Sequence, residues 1–330
     1  MKLKKLSTLT CRETHPYWLI LLCFLGFAWI GHPPIPSETL PSANPAPFYQ
    51  KLYTHPDRSL DPESSCSYFE PSPRYFPWIL NTFSIYVLFK MMRRRDNCGA
   101  FRLACISAFA TPCFSQLNDE LSPLNLLFLV QALLLYYLSG GGYRFRSYWI
   151  GFLLGTLCIL HPGFFLGTFV FFHLLYVKEG KRFFFPTFII AILTFLTLLF
   201  LLPNYRFYSE WDLQRDPLDT LWEQWFSFES GLLFYCPFLF FGMAGIVRAF
   251  KSDSTFHIYL ILFLLGQMLS IATFPRDIDP KLYRLESLLL YPYLLVFLHL
   301  QWRLILQKKR TRLLFTGTVL FSLYFQLSIL

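Results

Sequence analysis

Apolar runs set off by charged or Pro/Gly punctuation recur along the chain, at 17–31, 75–92, 99–117, 124–139, 148–160, 164–177, 183–203, 231–249, 256–274, 286–302 and 313–330. Stretches such as 186–203, 231–247 and 256–274 approach the roughly 20 residues that a helix needs to cross a bilayer. The pattern predicts an all-α fold, a polytopic transmembrane helical bundle of about 10–11 spans, with residues 1–330 forming a single integral membrane domain. The two shortest runs, 148–160 and 164–177, are separated by His161-Pro162-Gly163. Cations flank them on both sides, Arg144 and Arg146 before and Lys178, Lys181 and Arg182 after. The chain is therefore expected to enter and return to the same side as a short broken hairpin, which survives at membrane depth where protein or a wet cavity surrounds it.

Composition narrows the class. A chain of 330 residues has the length of two soluble domains, but 55% hydrophobic and 15% charged residues exclude a soluble two-domain enzyme and a disordered or collagen-like chain. The net charge of +9 would suit nucleic acid, yet the cations cluster between apolar runs, where they act as topology signals. With the N-terminus placed in the cytoplasm, 21 of the 29 Lys and Arg fall inside and 16 of the 20 acids outside. The expected location is thus the cytoplasmic (inner or plasma) membrane, with an extracytoplasmic active face. Loops 32–74 and 204–230 form the outer cap, and the first of them is proline-rich and irregular. Because acids contribute little to orientation, the outer carboxylates are either solvated loop surface or chemistry. The run 17–31 has a second reading, a cleaved secretory signal with Ala43 in a weak small-residue site. The eight cysteines contain no C-x-x-C pair, so no redox or zinc motif follows, and Cys66, alone on the outer side, predicts no structural disulfide.

The chain lacks G-x-x-x-x-G-K, G-x-G-x-x-G, H-E-x-x-H and G-x-S-x-G, the signatures of nucleotide, dinucleotide, zincin and serine-hydrolase sites. What remains is acids and arginine at the outer interface. Asn118-Asp119-Glu120 occupies a loop so short that both carboxylates are held at the hydrocarbon boundary, where burial and neighbouring cations tune a general base or metal ligand. Capping of the helix that follows is the plain alternative. Arg284 precedes the run 286–302 on the side where cations are scarce and against the preference of helix N-termini for anions. Its partner is Glu286, an acid of another loop, or a phosphate held bidentately, against the plainer role of an interfacial ion pair. His161 at the hairpin tip either bonds a phosphate or sugar or is a polar residue tolerated at a turn. Trp211, Trp222, Trp225, Phe226 and Phe228 read as interfacial anchors, with sugar stacking as the other role.

Three stretches carry a family resemblance: Gly151-Phe-Leu-Leu-Gly155 running to His161-Pro162-Gly163, Ser230-Gly231 to Pro237, and Tyr283-Arg284-Leu285 before Tyr291-Pro292. Over residues 75–302 the order resembles the GT-C class of polytopic glycosyltransferases, such as protein mannosyltransferases and lipid A aminoarabinose transferases. The resemblance implies transfer of a sugar from a polyprenyl phosphate donor, with donor and membrane lipids as partners and neither nucleotide nor nucleic acid. It offers Asp119 or Glu120 as the family's second acidic position. The family's principal acid follows its first span; here Glu38 stands there and no Asp occurs until Asp57 and Asp61. One of these three takes the role, or the chain is a family member without catalysis. In such transfer one carboxylate deprotonates the acceptor and a cation steadies the departing phosphate. Arg284 would grip that phosphate, with Tyr283 and His161 on phosphate or sugar. Any metal at Asp119 and Glu120 would be a hard ion, Mg2+ or Mn2+, since no His or Cys cluster accompanies them. The competing class is a carrier or flippase, whose mark would be an ionisable residue in mid-membrane.

Overall fold

The computed structural model describes residues 20–21, 23, 75–94, 97–111, 123–140, 145–161, 164–201, 222, 225–226, 231–251, 254–272 and 290–329. These are all-α. The helices are α1 Tyr75–Arg93, α2 Asn97–Phe109, α3 Pro123–Ser139, α4 Arg146–Leu160, α5 Phe164–Glu179, α6 Lys181–Leu201, α7 Leu232–Tyr235, α8 Phe240–Phe250, α9 Thr255–Ala272, α10 Tyr291–Gln307 and α11 Lys309–Ile329. A 3-10 turn, Pro237–Leu239, joins α7 to α8.

Local chemistry sets several of these ends. Gly180, at φ 80°, takes the left-handed position that closes α5, its N–H donating to Tyr176 O at 3.1 Å and its carbonyl accepting from the opening of α6. His161 is extended (φ −154°, ψ 110°) before Pro162, which disfavours a helical neighbour. The run 231–249, which reads as one span, is broken in two. Pro237 has no N–H to continue the ladder, and Cys236 leaves helical geometry (φ −129°, ψ 63°). α11 starts four residues before the run 313–330, because its first turn carries Lys309, Arg310 and Arg312 rather than excluding them.

Neighbours in sequence run antiparallel, apart from α7 and α8, which continue one broken run, and three pairs two apart run parallel. α1 lies beside α3, with Asn125 Nδ2 donating to Asn81 Oδ1 at 3.3 Å. α4 packs chiefly on α6 rather than on its hairpin partner α5. A Cβ on Gly151 would collide with Thr187 O, and one on Gly155 would stand 2.5 Å from Ala191 O, so these glycines permit backbone contact four residues apart on both helices. α8 and α10 repeat the device, with Gly242 on Leu294 O and Gly245 on Phe297 O. The α5 helix turns instead to α9, where Phe171 stacks on Phe263 at 4.2 Å. α2 crosses α10 antiparallel, with Trp302 beside Gly99 and Tyr291 bonded to Ser107.

Helix direction therefore gathers every described Lys and Arg at one end of the bundle. Lys90, Arg93 and Arg94 close α1, Arg146 opens α4, Lys178, Lys181 and Arg182 flank Gly180, Arg248 and Lys251 close α8, and Arg303, Lys308, Lys309, Arg310 and Arg312 surround the turn between α10 and α11. Arg102 lies in the second turn of α2 at the same end. Each belongs to the 21 cations that the sequence assigns to the inside.

Large apolar side chains are exposed on the described surface, and several amides and hydroxyls sit inside an apolar core. Asn81, Ser84, Asn125, Gln131, Gln267 and Gln326 are fully buried, while Phe200 is 85% exposed and Leu313, Leu314 and Val247 about 60%. Only Thr187 and Ala191 of α6 are buried. Among the described residues α6, at 21 residues, is the one helix whose length and hydropathy suffice to cross a bilayer unaided; the other apolar helical stretches are shorter or carry more charge. Cys23, Cys105, Cys158 and Cys236 are free thiols, and Cys23, from the first apolar run, is fully buried in the core.

Candidate functional site

The end of the bundle opposite the cations is where α2, α4, α6 and α9 finish and α3, α5, α7 and α10 begin. Buried polar contacts tie several of these stems together. Tyr291, the first residue of α10 and fully buried, donates its hydroxyl to Ser107 Oγ on α2 at 2.6 Å. The Ser107 hydroxyl in turn donates to Leu103 O at 2.7 Å, and Thr111 Oγ1 donates to Ser107 O at 2.7 Å. Cys236, at the break before the 3-10 turn, points its thiol at Ala110 O, 3.7 Å away. Phe128 of α3 meets the Tyr291 ring with centroids 6.5 Å apart. Four stems thus meet around the α2 terminus: Tyr291 and Cys236 make hydrogen bonds that burial would otherwise penalise, and α3 adds a ring contact.

From this knot the chain leads to most of the candidate residues. Thr111 lies eight residues before Asp119, and Tyr291 seven after Arg284. Asp119, Glu120, Glu38, Asp57, Asp61, Tyr283 and Arg284 themselves lie outside the described residues, as do Trp211 and Phe228. So do the two carboxylates considered for a divalent ion; among the described residues no group of three His, Cys, Asp or Glu side chains could hold a metal.

His161 is described and lies at the same end, 9% exposed, between α4 and α5. Its carbonyl accepts from Phe164 N at 3.0 Å, and its ring meets Phe164 edge-on at 5.6 Å. The ladder continues from Phe164 to Phe263 at 6.0 Å and on to Tyr293 at 4.9 Å, linking the hairpin tip to α10. Of the aromatic series, Trp222 is 65% exposed and forms a tilted pair with Phe226 at 4.5 Å, whereas Trp225 is buried and belongs to the core rather than to an interface.

The residues that sequence reasoning missed are Ser107, Thr111 and the role of Tyr291. A hydroxyl inside an apolar run gives no signal of its partner; the phenol at the start of a Tyr-Pro helix entry was the one visible hint. A second omission is Gln131 on α3, fully buried, with neither side-chain polar atom hydrogen-bonded among the described residues.

Compared with known proteins, the chain matches no protein-family model, no curated protein and no solved structure.

Proposed function

We propose that the chain is a polytopic membrane protein that transfers a sugar from a polyprenyl phosphate donor to an extracytoplasmic acceptor, at the end of the bundle opposite its cations. The exposed apolar surface supports the membrane part: Phe and Leu there suit hydrocarbon, and Asn and Gln buried in the apolar core suit a helix interface. α4 and α5, at 15 and 16 residues, would span only about 22–24 Å, less than the roughly 30 Å of hydrocarbon, as a hairpin sheltered by its neighbours. The observation that carries the catalytic part is the Tyr291–Ser107 bond. It joins the stem leading from Arg284 to the stem leading toward Asp119 and Glu120, which favours a base and a phosphate grip working on one substrate. Asp119 or an acid of 32–74 deprotonates the acceptor hydroxyl, the acceptor oxygen attacks the anomeric carbon, and the polyprenyl phosphate leaves against Arg284, with Mg2+ or Mn2+ an optional addition. The test is transfer of labelled sugar by purified membranes from a panel of synthetic polyprenyl phosphate donors. Transfer above vector membranes supports the reading, and none across a broad panel removes it.

A carrier or flippase is the second reading, favoured by Gln131. A fully buried amide in the middle of α3, without a hydrogen-bond partner among the described residues, suits a polar cargo passing between helices. Solute uptake into proteoliposomes without covalent transfer would select it.

A further inference from the structure

An open apolar groove of about 630 Å3 runs between the broken segment α7–α8 and α11, walled by Phe234, Pro237, Phe240, Leu314, Gly317 and Phe321. A smaller hollow sharing Pro237, Phe240, Leu314 and Thr318 carries it on to Ala244. Two sequence features make it. The break at Cys236-Pro237 takes the chain out of a continuous helix, and Gly317 leaves open space where a Cβ would meet nothing within 4 Å. The hydroxyl of Thr318 is already given to Phe315 O at 2.8 Å, so the groove presents hydrocarbon and offers little to a sugar or a nucleotide.

Both walls run to cations at the same end of the bundle. One turn beyond Ala244 on α8 stands Arg248, followed by Lys251; one turn before Leu314 on α11 stands Arg310, after Lys308 and Lys309, and all five are exposed. Arg248 is steadied by its N–H to Leu300 O at 3.3 Å. The one carboxylate among the described residues, Glu179, is engaged with Arg146. A hydrocarbon slot with a positively charged mouth is complementary to an acyl chain carrying an anionic head.

We propose that this groove holds an acyl chain of an anionic phospholipid, with its headgroup phosphate between Arg248 and Arg310. This rests on the membrane part of the proposed function and not on the catalytic part. The polyprenyl donor is a different lipid, since its phosphate is needed at the opposite end.

The test uses the full-length protein in nanodiscs of equimolar phosphatidylglycerol and phosphatidylcholine, with retained lipids identified by native mass spectrometry. Wild type retains phosphatidylglycerol in preference. The Arg248→Gln/Arg310→Gln variant loses about fivefold of that preference for each cation removed. Gly317→Phe, filling open space, expels the lipid whatever its head. Equal retention of the two lipids by wild type overturns the proposal. So does an unchanged preference in the double variant, retention by Gly317→Phe, or polyprenyl phosphate as the retained species. Carbonate extraction separates this from the premise: a chain released from membranes ends the membrane reading as well, whereas a chain that stays without lipid preference ends the groove proposal alone.

Discussion

Arg146 and Glu179, 33 residues apart in sequence, meet at 3.0 Å where α4 opens and α5 closes. Arg146 is buried and spends its other donors on the last turn of α3, with Nε to Tyr137 O at 2.7 Å and Nη2 to Leu138 O at 3.3 Å. Its guanidinium also lies 5.5 Å from the Phe183 ring at the start of α6. One side chain therefore clamps four helices, and Gly180 between α5 and α6 sets the turn that presents both Glu179 and Phe183 to it.

The clamp predicts unequal costs. Arg146→Gln strips donors from two helix-end carbonyls and leaves Glu179 without its cation, destabilising by about 2–4 kcal/mol. Glu179 is partly exposed, so Glu179→Gln, which keeps an acceptor, costs nearer 1 kcal/mol. Denaturant titration in mixed micelles checks both values. A double-mutant cycle with no coupling between the two positions would show that the bonds to Tyr137 and Leu138 carry the clamp alone.

Glycines on two kinds of surface are expected to respond with opposite sign. At Gly155 an added methyl meets Ala191 O, which cannot rotate away, so Gly155→Ala should cost about 1–3 kcal/mol and Gly155→Val more. Gly266 on α9 has nothing within 4 Å of the same methyl, so Gly266→Ala should be neutral or gain up to about 1 kcal/mol through helix propensity. Thermal unfolding of the two variants side by side reads the difference; equal losses would mean that α4 and α6 are not in backbone contact.

The contrast between these glycines marks where the sequence stops being legible. Runs 75–92, 124–139 and 164–177 end within two residues of α1, α3 and α5, because Pro and Gly bound helices and cations favour a last turn by local chemistry that a linear reading sees. The break at Cys236-Pro237 is equally local, but it sits inside a run long enough to read as a single span. What Gly151 and Gly155 face, or that Ser107 receives Tyr291 184 residues away, depends on which helices become neighbours, and no local pattern encodes that. Of the candidate site the sequence named acids and an arginine. The polar knot at the base of their loops is tertiary and appears only in the fold.

Orientation is open to direct measurement. The described cations share one end, and the positive-inside preference would put that end in the cytoplasm. Single cysteines at positions 180 and 308, introduced into a chain without accessible native thiols, should react with an impermeant maleimide only after permeabilisation, and those near 60 and 215 in intact cells. Labelling at 180 in intact cells would reverse the bundle and move every outer carboxylate to the cytoplasm.

The catalytic proposal makes the sharpest quantitative claim. Asp119→Asn preserves shape and removes the base, and loss of a general base lowers turnover by about 10²–10⁴-fold. Arg284→Ala removes the grip on the leaving phosphate and should lower kcat by a similar factor, since the charge it meets develops as the bond breaks. Glu223→Gln, in the loop 204–230, should leave transfer within about twofold, as expected of a solvated carboxylate. Ser107→Ala tests the knot by a different route. It takes away the acceptor for the Tyr291 hydroxyl at the junction of α2 and α10, so it should disturb the approach of the two stems, raising KM and lowering thermal stability with a smaller effect on kcat. Initial rates of labelled-sugar transfer, normalised to folded protein recovered in detergent, decide all four. Full activity in both Asp119→Asn and Arg284→Ala would remove these residues from the mechanism, even if the chain transfers sugar.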